Sequence, residues 1–503
     1  MLTKRGALIV LFLSYILWLA GTIIPSFLLK ISEPLRRAEG RGNTMAPMTP
    51  DRVAAIMLSW HGLDLVSCRP IQTLWAGYGS ISEVRARRPL RREGEPGKDT
   101  LDLILKLVTP PVTSKGDEDE GHLRKMLSYE VEQYFYEAVA PRLLSPARGG
   151  EDEDGSAYNH DRPAIACCIA TTRDMDGKPG AEHLAGGVIA TLITDLRPEF
   201  PVPGEKRAEL SETQVHAALD WLAGFHGLSR PWVGELGEGR KGMEGLVRPP
   251  LEEAERRKCI AGGSGGGGAN GDGKVHNKID GTATLWLNGG YTYLATRRTE
   301  YATLVADADS EWSDALCKPY DGESGSPTSV AERVADFLTP RSVSDVDRVR
   351  RPYESYIHGD VKSENLFATA AGDRVAFFDF QYVGLGLGVC DLAKLFTCSV
   401  PLRLLTSYYD DEDAVPSELE MDAGEKRLLE YYRRRLLEVD GSGGAGFDYD
   451  WSLLVRHWEA ALVDWLRFQM SWGAWGNTVW LEARVRSILS DDGFKKWLLE
   501  NSS

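Results

Sequence analysis

The chain has little of what organises small secreted, metal-held or nucleic-acid-binding proteins. It contains seven cysteines in 503 residues, an odd number with no Cys-X-X-Cys pair. A disulfide framework and a zinc site are therefore poor explanations of the fold, and reduced thiols in apolar runs fit best. No long basic run occurs, and the formal net charge is −16. Binding a phosphate backbone calls for the opposite sign, which argues against a nucleic-acid partner. The acidic balance is compatible with a cationic ligand, although such a surface more often only confers solubility. No long-period repeat is present, so a solenoid is not expected. The only N-glycosylation sequon is Asn501-Ser-Ser, at the extreme end, and it gives no support to a luminal domain.

What is present is ordinary in bulk: 43% apolar and 26% charged residues, as in globular proteins, over a length that allows two or three domains. One segment stands apart. Residues 7–29, ALIVLFLSYILWLAGTIIPSFLL, carry no charge and are long enough to span a bilayer. Cleavage after Ala20 would place Trp18 where a small residue is needed, so an uncleaved anchor over residues 1–30 is the expectation. Lys30, Arg36, Arg37 and Arg41 outnumber Lys4 and Arg5, which favours a cytosolic carboxyl side after a juxtamembrane linker at 31–50.

Residues 51–197 read as short strands with one helix. Ile71 to Ala86 hold a glycine turn between two extended runs, and Leu101 to Val108 form a strand interrupted by Lys106. Tyr129, Gln133, Tyr136 and Ala140 recur at helical spacing within a helix over Arg124 to Leu144. Ala164 to Ala170 and Gly187 to Ile193 read as further strands, and Glu151 to Gly155 as a solvated loop. Residues 198–503 are mainly helical. Ser211-Glu-Thr-Gln214 is a capping-box signature that opens a helix to His226. Leu454, Trp458, Ala461, Trp465, Phe468 and Trp472 form one helical stripe. A flexible insert is expected at about 255–280, around the run Ala261 to Asn270. A strand-rich front and a helical back fit a two-lobed α+β fold better than an alternating sheet.

Two glycine motifs are decoys. Gly268 to Val275 imitates a phosphate loop, but Val275 stands where a magnesium-binding hydroxyl is needed, and no strand precedes it. Gly384-Leu-Gly-Leu-Gly388 lacks dinucleotide-site spacing and context.

The informative stretch is Tyr356-Ile-His-Gly-Asp-Val-Lys-Ser-Glu-Asn365, followed by Val375-Ala-Phe-Phe-Asp379. Asp360 on a rigid loop can accept the proton of an attacking hydroxyl. Asn365 and Asp379 offer hard oxygens for magnesium on nucleotide phosphates. Lys362 can neutralise the moving phosphoryl charge. Lys106 lies among apolar neighbours and needs a carboxylate partner; Glu130 and Glu132 are the candidates, with Glu132 preferred. Gly77, Gly79 and Ser80 form a turn whose backbone N–H groups can approach phosphates. Asp391 is either an N-cap or a brace for the catalytic loop. The tryptophans at 465, 472, 475 and 480 suit core packing better than a quaternary-ammonium cage, although Asp464 and Glu459 lie among them.

His358-Gly-Asp-Val-Lys-Ser-Glu-Asn365, Phe378-Asp-Phe-Gln381 and Asp391-Leu-Ala393 resemble the aminoglycoside phosphotransferase, choline kinase and ecdysteroid-kinase-like superfamily. Leu74 to Ser80, Lys106, Glu132 to Tyr136 and Ile193 to Leu196 are similar to its first lobe and interlobe segment. The resemblance covers roughly residues 60–490. It implies a two-lobed protein-kinase-like fold, with an antiparallel-sheet N-lobe at 51–197 and a helical C-lobe at 198–503, preceded by the hydrophobic N-terminal helix. It also implies ATP, Mg2+ and transfer of the γ-phosphate to a hydroxyl of a small molecule. By matching positions, Asp360 becomes the base, Asn365 and Asp379 the metal ligands, and Lys106 with Glu132 the phosphate-positioning pair. Lys362-Ser-Glu364 departs from the His-Pro-Gly of many bacterial relatives, which leaves the acceptor class open. Asp379-Phe-Gln-Tyr382 resembles the choline and ethanolamine branch. A protein kinase is disfavoured by the short interval between Asp379 and Asp391 and by the missing Ala-Pro-Glu. A catalytically inactive, membrane-tethered nucleotide-binding protein is the remaining alternative.

Overall fold

Alternating side chains build the first half of the chain into a sheet. A computed structural model describes residues 48–88, 100–111, 119–145, 162–184, 187–237, 245–263, 284–319, 328–339, 352–407, 412–439 and 447–502, and Met48–Ser503 form one unit. The apolar run 7–29, the Glu151 to Gly155 loop and the Gly268 to Val275 decoy lie outside the described residues. Among the described residues, no helix is long and apolar enough to cross a membrane.

Helix α1 (Pro50–Ser59) starts with proline in its first turn, where the missing N–H costs nothing. Strands β1 (Asp64–Thr73), β2 (Gly79–Arg87), β3 (Thr100–Val108), β4 (Cys168–Thr171) and β5 (Ile189–Thr194) form one sheet in the order β1-β2-β3-β5-β4. Every pairing is antiparallel. Successive residues of a strand face opposite ways. In β3, Leu103, Leu105 and Leu107 therefore share one face and pack with Val53, Ala54, Met57 and Leu58 of α1. Lys106 has the other parity. It lies between Ile81 of β2 and Thr191 of β5, so it sits in the centre of the sheet.

Helix α2 (Glu120–Tyr134) is capped by Asp119, whose carboxylate accepts from His122 N, and it runs on through a π-turn at Phe135–Val139 to Leu144. It begins one turn earlier than the apolar spacing suggested, because the first turn carries polar residues.

The second half is mostly helical: α3 (Glu212–Gly237), α4 (Pro250–Gly263), α5 (Arg298–Ala306) and α6 (Val330–Leu338) come first. Two small antiparallel sheets follow. One is the ribbon of β7 (Glu354–Ile357) with β10 (Gly384–Leu387); the other joins β6 (Val202–Pro203), β8 (Leu366–Ala368) and β9 (Val375–Phe377). Then come α7 (Val389–Ser399), α8 (Ala423–Val439), α9 (Trp451–Trp472), α10 (Thr478–Ser490) and α11 (Asp492–Asn501). The architecture is α+β, with an antiparallel sheet and many helices.

The helix from Ser211 has its capping box, with Ser211 Oγ accepting from Gln214 N and Gln214 Oε1 accepting from Ser211 N, but it continues past His226 to Gly237. The strand expected from Ala164 starts only at Cys168, because Ala164 instead bridges to Ala376 of the small sheet. The flexible insert expected at about 255–280 is helical as far as Gly263: buried Glu253 bonds Arg256 and Arg257 one turn on and stiffens α4. Gly384 to Leu387 is an ordinary strand paired with β7. Leu105 is fully buried, so Leu105→Ala should destabilise the protein by about 2–5 kcal/mol. Exposed Val66→Ala should stay within about 0.5 kcal/mol. Urea titration of both variants measures the difference.

Candidate active site

The β7–β8 connection carries Asp360 and Asn365, and the β9–β10 connection carries Asp379. One backbone bond joins the two connections: Phe378 N donates to Asn365 O at 3.0 Å. Inside the loop, Asn365 Nδ2 donates to the Asp360 carboxylate at 3.0 Å and to its carbonyl at 2.8 Å. That use of the nitrogen leaves the amide oxygen as the atom Asn365 offers to a cation. Lys362 Nζ lies 3.1 Å from Asp360 and 3.4 Å from Glu364. Burial opposes its charge, but these two carboxylates outweigh burial and hold the ammonium above its ordinary pKa.

His358 locks the loop from below. It is fully buried, and burial keeps its ring below the usual histidine pKa. Its Nε2 faces the Phe378 carbonyl at 3.0 Å, which can only accept, so Nε2 carries the proton. Nδ1 is then free to accept from Asp360 N at 3.3 Å. A neutral imidazole thus spans the base of both connections.

Asp391 is a brace. The N-cap of α7 is Gly388, and the buried Asp391 carboxylate accepts from His358 N at 2.7 Å, Gly359 N at 2.8 Å and His226 Nε2 at 3.1 Å. Burial pushes this carboxyl up, but the His226 bond and the nearby positive charges more than offset it, so it stays below the ordinary aspartate range. Lys394, one turn further on, donates to Gly359 O, and Ser399 Oγ accepts from Ser363 N at 2.8 Å. One helix therefore holds the loop at three points. Gly359 sits at φ 84°, and a Cβ there would come 2.4 Å from Tyr382 O, which excludes other residues.

From the sheet, Lys106 reaches both Glu132 of α2 at 2.6 Å and Asp379 at 3.1 Å. Glu130 instead pairs with Arg257 at 2.9 Å. One ammonium cannot fully serve two buried carboxylates. Burial raises Glu132 to about 7 despite its contact with Lys106. Burial opposes the Asp379 charge as well, but Lys106, Gln381 and Lys362 together hold that carboxyl below the ordinary range. Asp379 is one of three non-glycine residues with positive φ among the described residues, at 68°. Such backbone strain persists only where surrounding contacts enforce it, and here Phe380 stacks on Phe135 of the π-turn at 3.8 Å. Gly77 and Gly79 shape the β1–β2 turn, and a Cβ on Gly79 would sit 2.0 Å from Leu107 O. Ser80 pairs with Leu107, beside Lys106.

Residues 189–423 match the model of the phosphotransferase enzyme family. The resemblance read from the sequence holds over that stretch, which contains the Asp360 loop, Asp379 and Asp391. Lys106 and Glu132 lie before it. No curated protein matches the sequence. Among solved structures, spectinomycin phosphotransferase bound to AMP is 9% identical, with 82% of this chain and 84% of that chain covered at a TM-score of 0.29. The macrolide 2'-phosphotransferase of Brachybacterium faecium is 11% identical, with coverages of 90% and 98% and a TM-score of 0.33. The ethanolamine kinase of Plasmodium vivax is 10% identical, with coverages of 89% and 86% and a TM-score of 0.29.

Sequence reasoning missed several site-forming residues. Gln381 Nε2 donates to Asp379 Oδ1 at 2.5 Å, and its oxygen accepts from Ser128 Oγ at 3.0 Å. Lys394 was readable in principle, since it follows Asp391 at helical spacing. Of the tryptophans, Trp465 and Trp480 are core, whereas Trp472 is 48% exposed. The aromatic group around them is already filled by the chain's own Arg297, 3.8 Å from Tyr291, 5.6 Å from Phe468 and 5.7 Å from Trp472. Asp464 and Glu459 pair with Arg467 and Arg456, each at 2.7 Å.

Asp391→Asn should cut phosphoryl transfer by roughly 10²-fold by loosening the loop, with nucleotide affinity little changed. The Asp391 carboxyl is lowered by folding, so it stabilises the protein above the ordinary aspartate range, and that contribution fades as pH falls through its folded value. Acid-unfolding curves of Asp391→Asn should accordingly be flatter than wild type at low pH.

Proposed function

We propose that this chain is an ATP- and Mg2+-dependent phosphotransferase that moves the γ-phosphate of ATP to a hydroxyl of a small metabolite, on a two-lobed protein-kinase-like fold. The observation that carries the proposal is the convergence of two chain connections on the sheet: Phe378 N donates to Asn365 O at 3.0 Å, and Lys106 bonds Asp379 at 3.1 Å. The family match to residues 189–423 supports the reaction class.

The residues fit the absent groups. Asn365 and Asp379 are hard oxygen donors of the kind magnesium takes alongside phosphates and water, and the lowered pKa of Asp379 keeps it charged. When bound, the metal would neutralise phosphate charge. Among the described residues no cluster of three His, Cys, Asp or Glu side chains forms a metal cage. Lys106, aligned by Glu132, would hold the α- and β-phosphates. The turn formed by Gly77, Gly79 and Ser80 would cover them, although the Gly77 N–H already donates to Leu74 O at 3.1 Å. Asp360 accepts the acceptor's hydroxyl proton, oriented by Asn365 and Lys362, and Lys362 offsets the transferring charge.

A choline-type acceptor has less support, because the aromatic and acidic groups suited to a quaternary ammonium already hold Arg297, Arg456 and Arg467. In this proposal residues 7–29 anchor the protein in a membrane, with the catalytic part cytosolic. The support is the uncharged length of that run and its flanking basic residues.

The test is incubation of cell extract with ATP and purified protein, read by mass spectrometry. Wild type should yield a metabolite heavier by one phosphoryl group, and Asp360→Asn should form it roughly 10²–10⁴ times more slowly. Equal product from both proteins contradicts the assigned base; labelled protein in place of a labelled metabolite favours a protein kinase.

A further inference from the structure

We infer that Arg257 on α4 is a positioning residue for the Lys106–Glu132 pair, acting through Glu130; the inference rests on the phosphotransferase reading above. Helix α2 carries both glutamates, two residues apart, and a rotation of about 100° per residue sends them to nearly opposite sides of the helix. Glu132 reaches into the sheet, 2.6 Å from Lys106. Glu130 reaches outward to Arg257, 2.9 Å away. Fixing both fixes the rotation of α2 about its own axis, which is the motion that would withdraw Glu132 from the lysine.

The strut is built to be stiff. Arg257 Nε donates to Glu253 Oε1 at 2.8 Å, which leaves the Nη atoms for Glu130. Glu253 is fully buried and also accepts from Arg256 at 2.6 Å and 2.9 Å. The guanidinium is thus oriented before it meets Glu130, a geometry that the flexible single charge of lysine only partly reproduces. Two further contacts tie α2 to the helical half. Arg124 Nη1 donates to Thr296 O at 2.7 Å, with Glu300 3.6 Å from the same guanidinium, and Ser128 donates to Gln381 at 3.0 Å. Among these tethers, Arg257 lies nearest in helix position to Glu132, so it has the most direct leverage on that side chain.

A packing role and a positioning role predict different ligand behaviour. Lys106 serves phosphates, and adenosine has none. MgATP and adenosine titrated calorimetrically into the full-length protein separate the two roles. Arg257→Met should weaken MgATP binding roughly three- to thirtyfold while leaving adenosine binding unchanged, and Arg257→Lys should recover part of the loss. In a Lys106→Met background, Arg257→Met should add little, because both act through one pair. Glu130→Gln should give the same signature and serves if the Arg257 variant misfolds. Equal weakening of both ligands, full additivity with Lys106→Met, or unchanged MgATP affinity would each overturn the inference. Wild-type protein that binds adenosine but gains nothing from the phosphates would instead overturn the phosphotransferase reading beneath it.

Discussion

A single ammonium joins the two halves of the site. Lys106 leaves the central strand of the sheet and meets one carboxylate from α2 and another from the loop after β9. Removing Lys106 would leave buried Glu132 without its cation, a defect worth about 3–5 kcal/mol, whereas removing either carboxylate would still leave Lys106 one partner. The sheet, the helix and the loop are therefore not free to drift independently. The competition between Glu132 and Asp379 also has a consequence for the loaded state. On the proposed function, a cation drawing on Asp379 would release Lys106 toward Glu132 alone, and metal binding would reinforce the sheet–helix pair.

Below that contact the loop is held by polar groups that are costly to leave unpaired. Asp391 takes two backbone N–H groups and a histidine, Lys394 takes a carbonyl, and Ser399 takes a further N–H. All three residues belong to α7, which is buried along most of its length. The neutral His358 ring links the same loop to the β9–β10 connection that carries Asp379. Positioning and preorganised charge supply most of the rate in phosphoryl transfer, so under the proposed function these bonds would be part of the chemistry rather than background to it.

Much of this was legible in the sequence, and the division follows distance along the chain. Asp360, Lys362 and Asn365 lie within one loop, where residue type and spacing carry the geometry. Lys106 advertised itself as a charge among apolar neighbours on both strand faces. The preference for Glu132 over Glu130 needed the family pattern, since periodicity alone allows either. Asp391 stayed ambiguous between cap and brace because its partners lie more than thirty residues away. Arg257 and Arg124 were not legible: each is an ordinary polar residue locally, and its contacts cross the fold; Gln381 stood in a quoted motif, but its bonds to Asp379 and Ser128 were not foreseen. Helix α1 was overlooked at the edge of an expected linker, although Val53, Ala54, Met57 and Leu58 already share one face.

The most direct measurement is a crystal structure of the protein with magnesium and a non-hydrolysable ATP analogue. The account predicts a magnesium ion bound by Asn365 and Asp379, Lys106 on the α- and β-phosphates, and the Asp360 carboxylate facing the γ-phosphate without a metal contact. Metal held elsewhere, or a nucleotide lying away from Lys106 and Asp379, would contradict it.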